Sequence, residues 1–291
     1  MAKLVVIGSG VVGQATGKGF IAMGHEVVFC DINPETLVKL ENQGYKVCAP
    51  NLLEQKKGVK AFFLPVSTPT IDGKIKLDFL ESAVANLGGV LKKNDDYCVV
   101  VIRSTVPPNT TEGSLIPLLE KYSGKKAGKD FGVCMNPEYL RENSNEEDFK
   151  NPWIIVIGEL DAKSGEILDG IYGQHDCPIV HTSIKEAEVQ KYVHNLFNAC
   201  KISFFNEMRM VCEAVNVDAD KVFDLVAKSA EASRNPKYGI RNFGPYGGSC
   251  LPKDTTAFLA WARSELGKSL TLLKAVIKVN EITKEKHNGL G

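Results

Sequence analysis

The stretch Leu4-Val5-Val6-Ile7-Gly8-Ser9-Gly10-Val11-Val12-Gly13 decides the fold. Four apolar residues in a row predict a strand buried on both faces, as in a parallel sheet covered by helices on either side. The glycines that follow spell GxGxxG. They permit a tight turn, close approach of backbone to a pyrophosphate, and a helix whose N-terminus faces the phosphate charge. Residues 16–23 have helical character, and Glu26–Cys30 predicts a second strand. Asp31 lies 18 positions past Gly13, at the end of that strand. A carboxylate there accepts bonds from both ribose hydroxyls and repels a 2′-phosphate, which favours NAD over NADP. A glycine turn serving packing alone is the plainer alternative. With strand, helix and acid all in place, dinucleotide binding is the preferred reading.

Further strands are expected at residues 60–66, 97–102, 131–135 and 154–157, with helix-length stretches at 77–91 and 111–121 between them. Alternating strand and helix predict a Rossmann-type, doubly wound parallel α/β sheet. Beyond residue 184 the pattern changes. Apolar residues recur at helical spacing from 184 to 215 without Gly or Pro, predicting one long helix or two abutting ones. Residues 219–230, 255–266 and 270–284 also read as helices, and 239–252, rich in Gly and Pro, reads as a loop. The expected organisation is an NAD-binding domain over 1–184 and an all-helical domain over 185–291 that carries a cysteine loop.

Formal net charge is zero, so nothing points to a nucleic-acid or membrane-surface partner. The eight cysteines, Cys30, Cys48, Cys98, Cys134, Cys177, Cys200, Cys212 and Cys250, form no CxxC pair, and their spacing suits neither zinc nor haem. Scattered thiols fit a reducing compartment, and the expected location is cytoplasmic. Met1 runs almost directly into the first strand, so no signal peptide is expected. No apolar run approaches a membrane span.

Chemistry is concentrated in a few stretches. Gly247-Gly248-Ser249-Cys250-Leu251-Pro252-Lys253-Asp254 exposes backbone just before a thiol and follows it with a cation and an acid. Lys253 there favours the reactive thiolate. A small buried hydrophobe is the alternative for a cysteine, and the one adopted for the other seven. Lys191 and Asn195, four apart, share a helix face, with Glu188 one turn earlier; a solvated polar stripe is the alternative. Asn136-Pro137-Glu138-Tyr139-Leu140-Arg141-Glu142 follows a strand and reads either as a site loop or as a helix N-terminus. Ser67-Thr68-Pro69-Thr70 and Ser104-Thr105-Val106-Pro107 close strands, where loops face the cofactor crevice or simply end the strand.

In this order, and over nearly the whole chain, these motifs resemble the UDP-glucose/GDP-mannose dehydrogenase family. The resemblance implies a four-electron, NAD-dependent oxidation of a nucleotide sugar at C6 to the uronate, with UDP-glucose as the expected substrate and polysaccharide biosynthesis as the setting. It implies Cys250 as the nucleophile that forms a thiohemiacetal and then a thioester. Lys191 and Asn195 match donors to the oxygen charge, Glu142 and Thr105 match residues that hold a water, and Asp254 matches a carboxylate assisting proton transfer. Gly8, Gly10, Val11, Val12, Gly13, Asp31, Thr68, Thr105 and Lys253 match cofactor contacts. Glu138, Tyr139, Leu140, Arg141, Lys191, Asn195, Arg241 and Gly247 match substrate contacts, and Arg234 matches a basic residue reaching the site of the neighbouring subunit in a homodimer. No metal is implied.

The sequence departs from the family in three places. The family's C-terminal α/β domain, which holds much of the nucleotide, has no counterpart in the 291 residues. The segment from Gly44 to Val59 is short. Pro152-Trp153-Ile154 stands where the family usually has Pro-Asp-Arg. Two other readings compete. A two-electron β-hydroxyacid-type dehydrogenase would use the lysine and need no cysteine. A non-catalytic NAD-binding module would need neither.

Overall fold

A computed structural model describes residues 1–55, 57–141, 144–236, 238–239, 244–248 and 250–288. Contacts divide the chain after His194 into Met1–His194 and Asn195–Gly291, and each unit is described by itself.

The first unit is built on one eight-stranded sheet. It holds β1 (Lys3–Ile7), β2 (Glu26–Cys30), β3 (Lys46–Cys48), β4 (Ala61–Leu64), β7 (Val99–Ile102), β8 (Gly132–Met135), β9 (Ile155–Glu159) and β10 (Ile179–Ser183), in the order β10-β9-β8-β7-β4-β1-β2-β3. A short hairpin, β5 (Thr70–Ile71) and β6 (Lys74–Ile75), turns through Asp72 and Gly73, both at positive φ, as an Asp-Gly turn favours. The expected apolar runs are strands buried on both faces. Val5, Ile7, Phe62, Leu64, Val100 and Ile102 pack on one side, and Leu4, Val6, Ala61, Phe63, Val99 and Val101 on the other. Each large side chain so buried contributes roughly 1.5–3 kcal/mol.

Helices α1 (Val11–Ala22), α2 (Pro34–Asn42), α3 (Asp78–Lys92), α4 (Ile116–Ser123), α5 (Asn145–Lys150) and α6 (Ala162–Tyr172) accompany the sheet. The chain moves outward from β1 through β2 to β3 and then returns to β4 on the other side of β1. That reversal opens a crevice at the carboxyl ends of β1 and β4, where such sheets take their ligands.

The sheet departs from the expected wholly parallel arrangement at one point: β9 pairs antiparallel with β8. A parallel return needs a crossover, usually a helix, that carries the chain back to the end of the sheet where the previous strand began. The connection between these strands instead holds only the short α5, whose Phe149 packs against Gly19 of α1. The pattern also missed α2, whose start is fixed by the Asn33 side chain accepting from the Glu35 N–H at 2.9 Å and by Pro34 in the first turn.

Helix α7 (Ile184–Ala214) is a single long helix. The second unit contains its later part with α8 (Ala219–Ser229), α9 (Glu231–Arg234), α10 (Leu251–Leu266) and α11 (Thr271–Asn288). Its core is small, centred on Val211, Ala262 and Leu270. Glu207 caps α11, accepting from the Leu272 and Leu273 N–H groups at 2.7 and 3.1 Å. α10 begins four residues before the expected residue 255, so the loop of 239–252 ends sooner than read. Pro252, read as a breaker, sits in the helix's first turn, where its missing N–H costs nothing.

Candidate active site

The glycine turn opens a cavity of about 820 Å³ in the first unit, lined by Gly8, Gly10, Val11, Val12, Asp31, Ser67, Thr68, Arg103, Ser104, Thr105 and Glu138 among others. Gly8 has φ +97°, which favours glycine, and a Cβ at Gly13 would overlap the Gly8 carbonyl. At Gly10 a Cβ would meet no protein atom within 4 Å, leaving the backbone open to a phosphate at the head of α1. The Asp31 carboxylate is oriented by the Ser9 N–H at 2.6 Å and the Asn33 N–H at 2.8 Å. Turn, open glycine and acid together fit a dinucleotide.

Thr105 lies on the wall of this cavity. Its carbonyl accepts from Thr68 Oγ1 at 2.8 Å, and Ser104 Oγ donates to the carbonyls of Leu64 and Val66 at 2.9 and 2.6 Å. The loop after β7 is thereby fastened to the loop after β4. Arg103, which the sequence reading did not single out, is 6% exposed. Its guanidinium donates to Thr16 Oγ1 at 3.0 Å, Asn136 Oδ1 at 2.5 Å and Tyr172 Oη at 3.2 Å. Asn136 opens the expected substrate stretch, so this buried cation anchors that stretch beneath the cavity.

Residues 136–141 form no helix; the next helix, α5, starts at Asn145. Their order comes from side chains. Lys191 is 5% exposed, and its ammonium donates to the Glu138 carbonyl at 2.5 Å and the Glu138 carboxylate at 3.1 Å. The other Glu138 oxygen accepts from the Leu140 N–H at 2.7 Å. Tyr139 donates to Gln190 Oε1 at 2.5 Å and lies against His194, with ring centroids 4.8 Å apart. Burial pushes the Tyr139 hydroxyl up to about 12, and burial with the Lys191 charge pulls His194 down. Arg141 is held by Asp148, with a shortest distance of 2.5 Å, and stacks near the exposed Trp153 ring, 5.7 Å from its centroid. That guanidinium holds Asp148 down at about 2.

Glu188 is not part of a solvated stripe. It is fully buried, and its two oxygens accept from the Asn109 and Thr111 N–H groups. Periodicity marks it only as polar; the long-range contact that buries it has no local signal.

In the second unit Asn195 is exposed, four residues after Lys191 along α7. Cys250 is exposed and stands immediately before α10, its carbonyl accepting from the Asp254 N–H at 2.8 Å. Lys253 pairs with Asp254 at 3.1 Å, both side chains largely exposed. Asp254 lies beside an apolar groove with Phe204, Phe258 and Trp261. Gly247 and Arg234, the last residue of α9, are exposed. The Asn280 side chain accepts from the Tyr246 N–H at 2.7 Å and donates to its carbonyl at 3.1 Å, pinning the cysteine loop to α11. The sequence reading missed Asn280, whose partner lies 34 positions away. Glu142, Arg241 and Ser249 lie outside the described residues.

The family model for the NAD binding domain of the UDP-glucose/GDP-mannose dehydrogenases matches residues 54–176, and that for their central domain matches 185–282. The chain belongs to the UDP-glucose/GDP-mannose dehydrogenase family. It is an oxidoreductase of the nucleotide-sugar 6-dehydrogenase family, with NAD as its cofactor. Residues 3–70 also match the model of coenzyme F420-dependent NADP oxidoreductases. A GDP-mannose 6-dehydrogenase of Pseudomonas putida is 36% identical over 96% of this chain and 68% of its own length. A UDP-glucose 6-dehydrogenase of Haloferax volcanii is 34% identical over 96% and 69%. Among solved structures, a GDP-mannose dehydrogenase ternary complex from Pseudomonas aeruginosa superposes with TM-score 0.90 at 32% identity, covering 97% of this chain and 69% of that one. A UDP-glucose dehydrogenase from Pyrobaculum islandicum gives 0.71 at 34% identity, covering 97% and 68%. The chain thus spans about two thirds of these relatives' length. Among the described residues, no helix is long and apolar enough to cross a membrane.

Proposed function

We propose that the chain oxidises the C6 alcohol of a nucleoside-diphosphate hexose to the carboxylate, with Cys250 carrying the sugar between two oxidations. The observation that carries this reading is Lys191. A buried ammonium is held against Glu138, itself on the cavity wall, and a fixed positive donor of this kind is what a developing alkoxide needs. Two of its three donors serve Glu138, and the third meets a substrate oxygen. Asn195 adds a second donor.

NAD supplies the hydride acceptor for both oxidations. The alcohol first loses a hydride and a proton to give the aldehyde. The Cys250 sulfur then adds to that carbonyl, and the thiohemiacetal oxygen takes up the charge that Lys191 and Asn195 stabilise. Loss of a second hydride leaves a thioester. Water held by Thr105 and Glu142 cleaves it to the acid and restores the thiol, with Asp254 assisting proton transfer. Glu138, Tyr139, Leu140, Arg141 and Gly247 are assigned to the sugar, Arg241 to the diphosphate and Lys253 to the cofactor, each by its match to the family's motifs.

A homodimer accompanies this reading, with Arg234 serving the neighbouring copy. Its support is the apolar surface of the second unit, where Leu196, Phe197, Ile202, Leu225 and Val279 are each more than half exposed. Relatives acting on GDP-mannose and on UDP-glucose match at 34–36% identity, so both head the substrate panel. The test mixes protein and NAD with each nucleotide sugar. Two NADH per uronate are expected; NADH formed without uronate, or no turnover, contradicts the proposal.

A further inference from the structure

We infer that Glu188 is a positioning residue that sets the loop bearing Thr105 against the helix bearing Lys191. The inference rests on the proposed roles of those two residues. Glu188 Oε2 accepts from the Asn109 N–H at 2.5 Å, and Oε1 accepts from the Thr111 N–H at 2.8 Å. Both N–H groups lie where the chain turns into the π-helical turn that precedes α4, an end with unsatisfied donors and a favourable field for an anion. A carboxylate with no exposure is stable there only because each oxygen is hydrogen-bonded.

The hold is transmitted to Thr105 by the chain between. Val106 is fully buried, and Pro107 and Pro108 have fixed φ, so residues 105–109 have little freedom to absorb a shift. Thr110 Oγ1 donates to the Pro107 carbonyl at 2.6 Å, closing the turn. Asn109 sits at φ +71°, an uncommon conformation for a residue other than glycine, and its N–H is the group Glu188 holds most closely. At the other end Thr68 fixes the Thr105 carbonyl. On α7, Glu188 precedes Lys191 by three residues, so one helical turn carries both the strut and the ammonium. A cap serving α4 alone would stabilise the fold without affecting the chemistry. A strut changes the rate through Thr105.

The test uses the full chain with NAD and the nucleotide sugar it turns over. Glu188→Gln places an amide N–H₂ against a backbone N–H and loses one of the two bonds. It should lower kcat by about 10²-fold, the cost of misplacing a reacting group by about 1 Å, while the NAD dissociation constant changes less than about threefold. Thr105→Ala with Glu188→Gln should be no slower than Thr105→Ala alone, because the strut acts through that residue. Pro108→Gly, at an exposed position, leaves Glu188 and its bonds in place but loosens the link, and should also lower kcat. Wild-type kcat in Glu188→Gln or in Pro108→Gly, or full additivity with Thr105→Ala, overturns the inference. Absence of turnover in the wild type overturns the functional reading first and this inference with it.

Discussion

The two units hold their reactive groups differently. In Met1–His194, Lys191 and Glu188 are buried and tied by paired hydrogen bonds to loops 50 to 80 residues away in sequence. Arg103 ties the floor of the same region to three elements at once. In Asn195–Gly291, Cys250, Asn195 and Asp254 stand exposed, and among the described residues the cysteine loop is pinned by the Asn280 amide through Tyr246. Groups that must be fixed before charge develops gain from a rigid frame. A nucleophile that picks up an aldehyde and then releases an acid needs access instead. Rate and stability should therefore be coupled in the first unit and separable in the second.

Lys191→Ala is expected to have the largest combined effect. It leaves the Glu138 carboxylate without its cation and removes the donor proposed for the developing oxyanion. A kcat loss of about 10²–10³-fold should come with a stability loss of about 3 kcal/mol, read from steady-state kinetics and urea unfolding. A loss of rate with no loss of stability would break the comparison. Asn280→Ala should cost about tenfold in kcat with no more than about 1 kcal/mol of stability, since its bonds to Tyr246 hold an exposed loop and not the core. NAD titration should change little, since every proposed cofactor contact except Lys253 belongs to the other unit.

The smallest expected effect is a control at the sheet edge. His181 on β10 bridges Glu159 at 2.6 Å and Asp169 at 3.0 Å, and the Glu159 bond chiefly raises its pKa. A raised histidine pKa contributes stability that is full below the unfolded value of 6.5 and is lost as pH rises through the folded one. The thermal midpoint of wild type should exceed that of His181→Gln at about pH 5.5, and the gap should close by about pH 8.5. A gap that widens with pH would contradict the bridge. kcat should not change.

Much of this was legible in the sequence because its signals are local. The run 4–7, the glycines after it and Asp31 fix the first crossover and its ligand crevice through short-range rules. Lys191 and Asn195 were singled out by helical spacing and by resemblance. What stayed hidden depends on distant partners. Glu188 reads as part of a solvated polar stripe until Asn109 and Thr111 are brought to it, and Asn280 reads as one more polar residue of an amphipathic helix. β3 and β10 were missed because they lie at the sheet edges, where half-exposed positions dilute the apolar pattern. The antiparallel turn of β9 depends on α5 packing against α1, which no spacing announces. Pro252 was assigned to the loop because proline marks irregular chain, yet it fits the first turn of a helix equally well.

The central claim is that Cys250 carries the sugar between two oxidations. The most direct measurement is mass spectrometry of intact Cys250→Ser protein incubated with NAD and the nucleotide sugar that the wild type oxidises, alongside NADH and uronate counts. The account predicts uronate formation reduced at least about 10³-fold, with NAD binding retained and any trapped sugar attached as an ester at residue 250. Two NADH per uronate at the wild-type rate in this variant would contradict it.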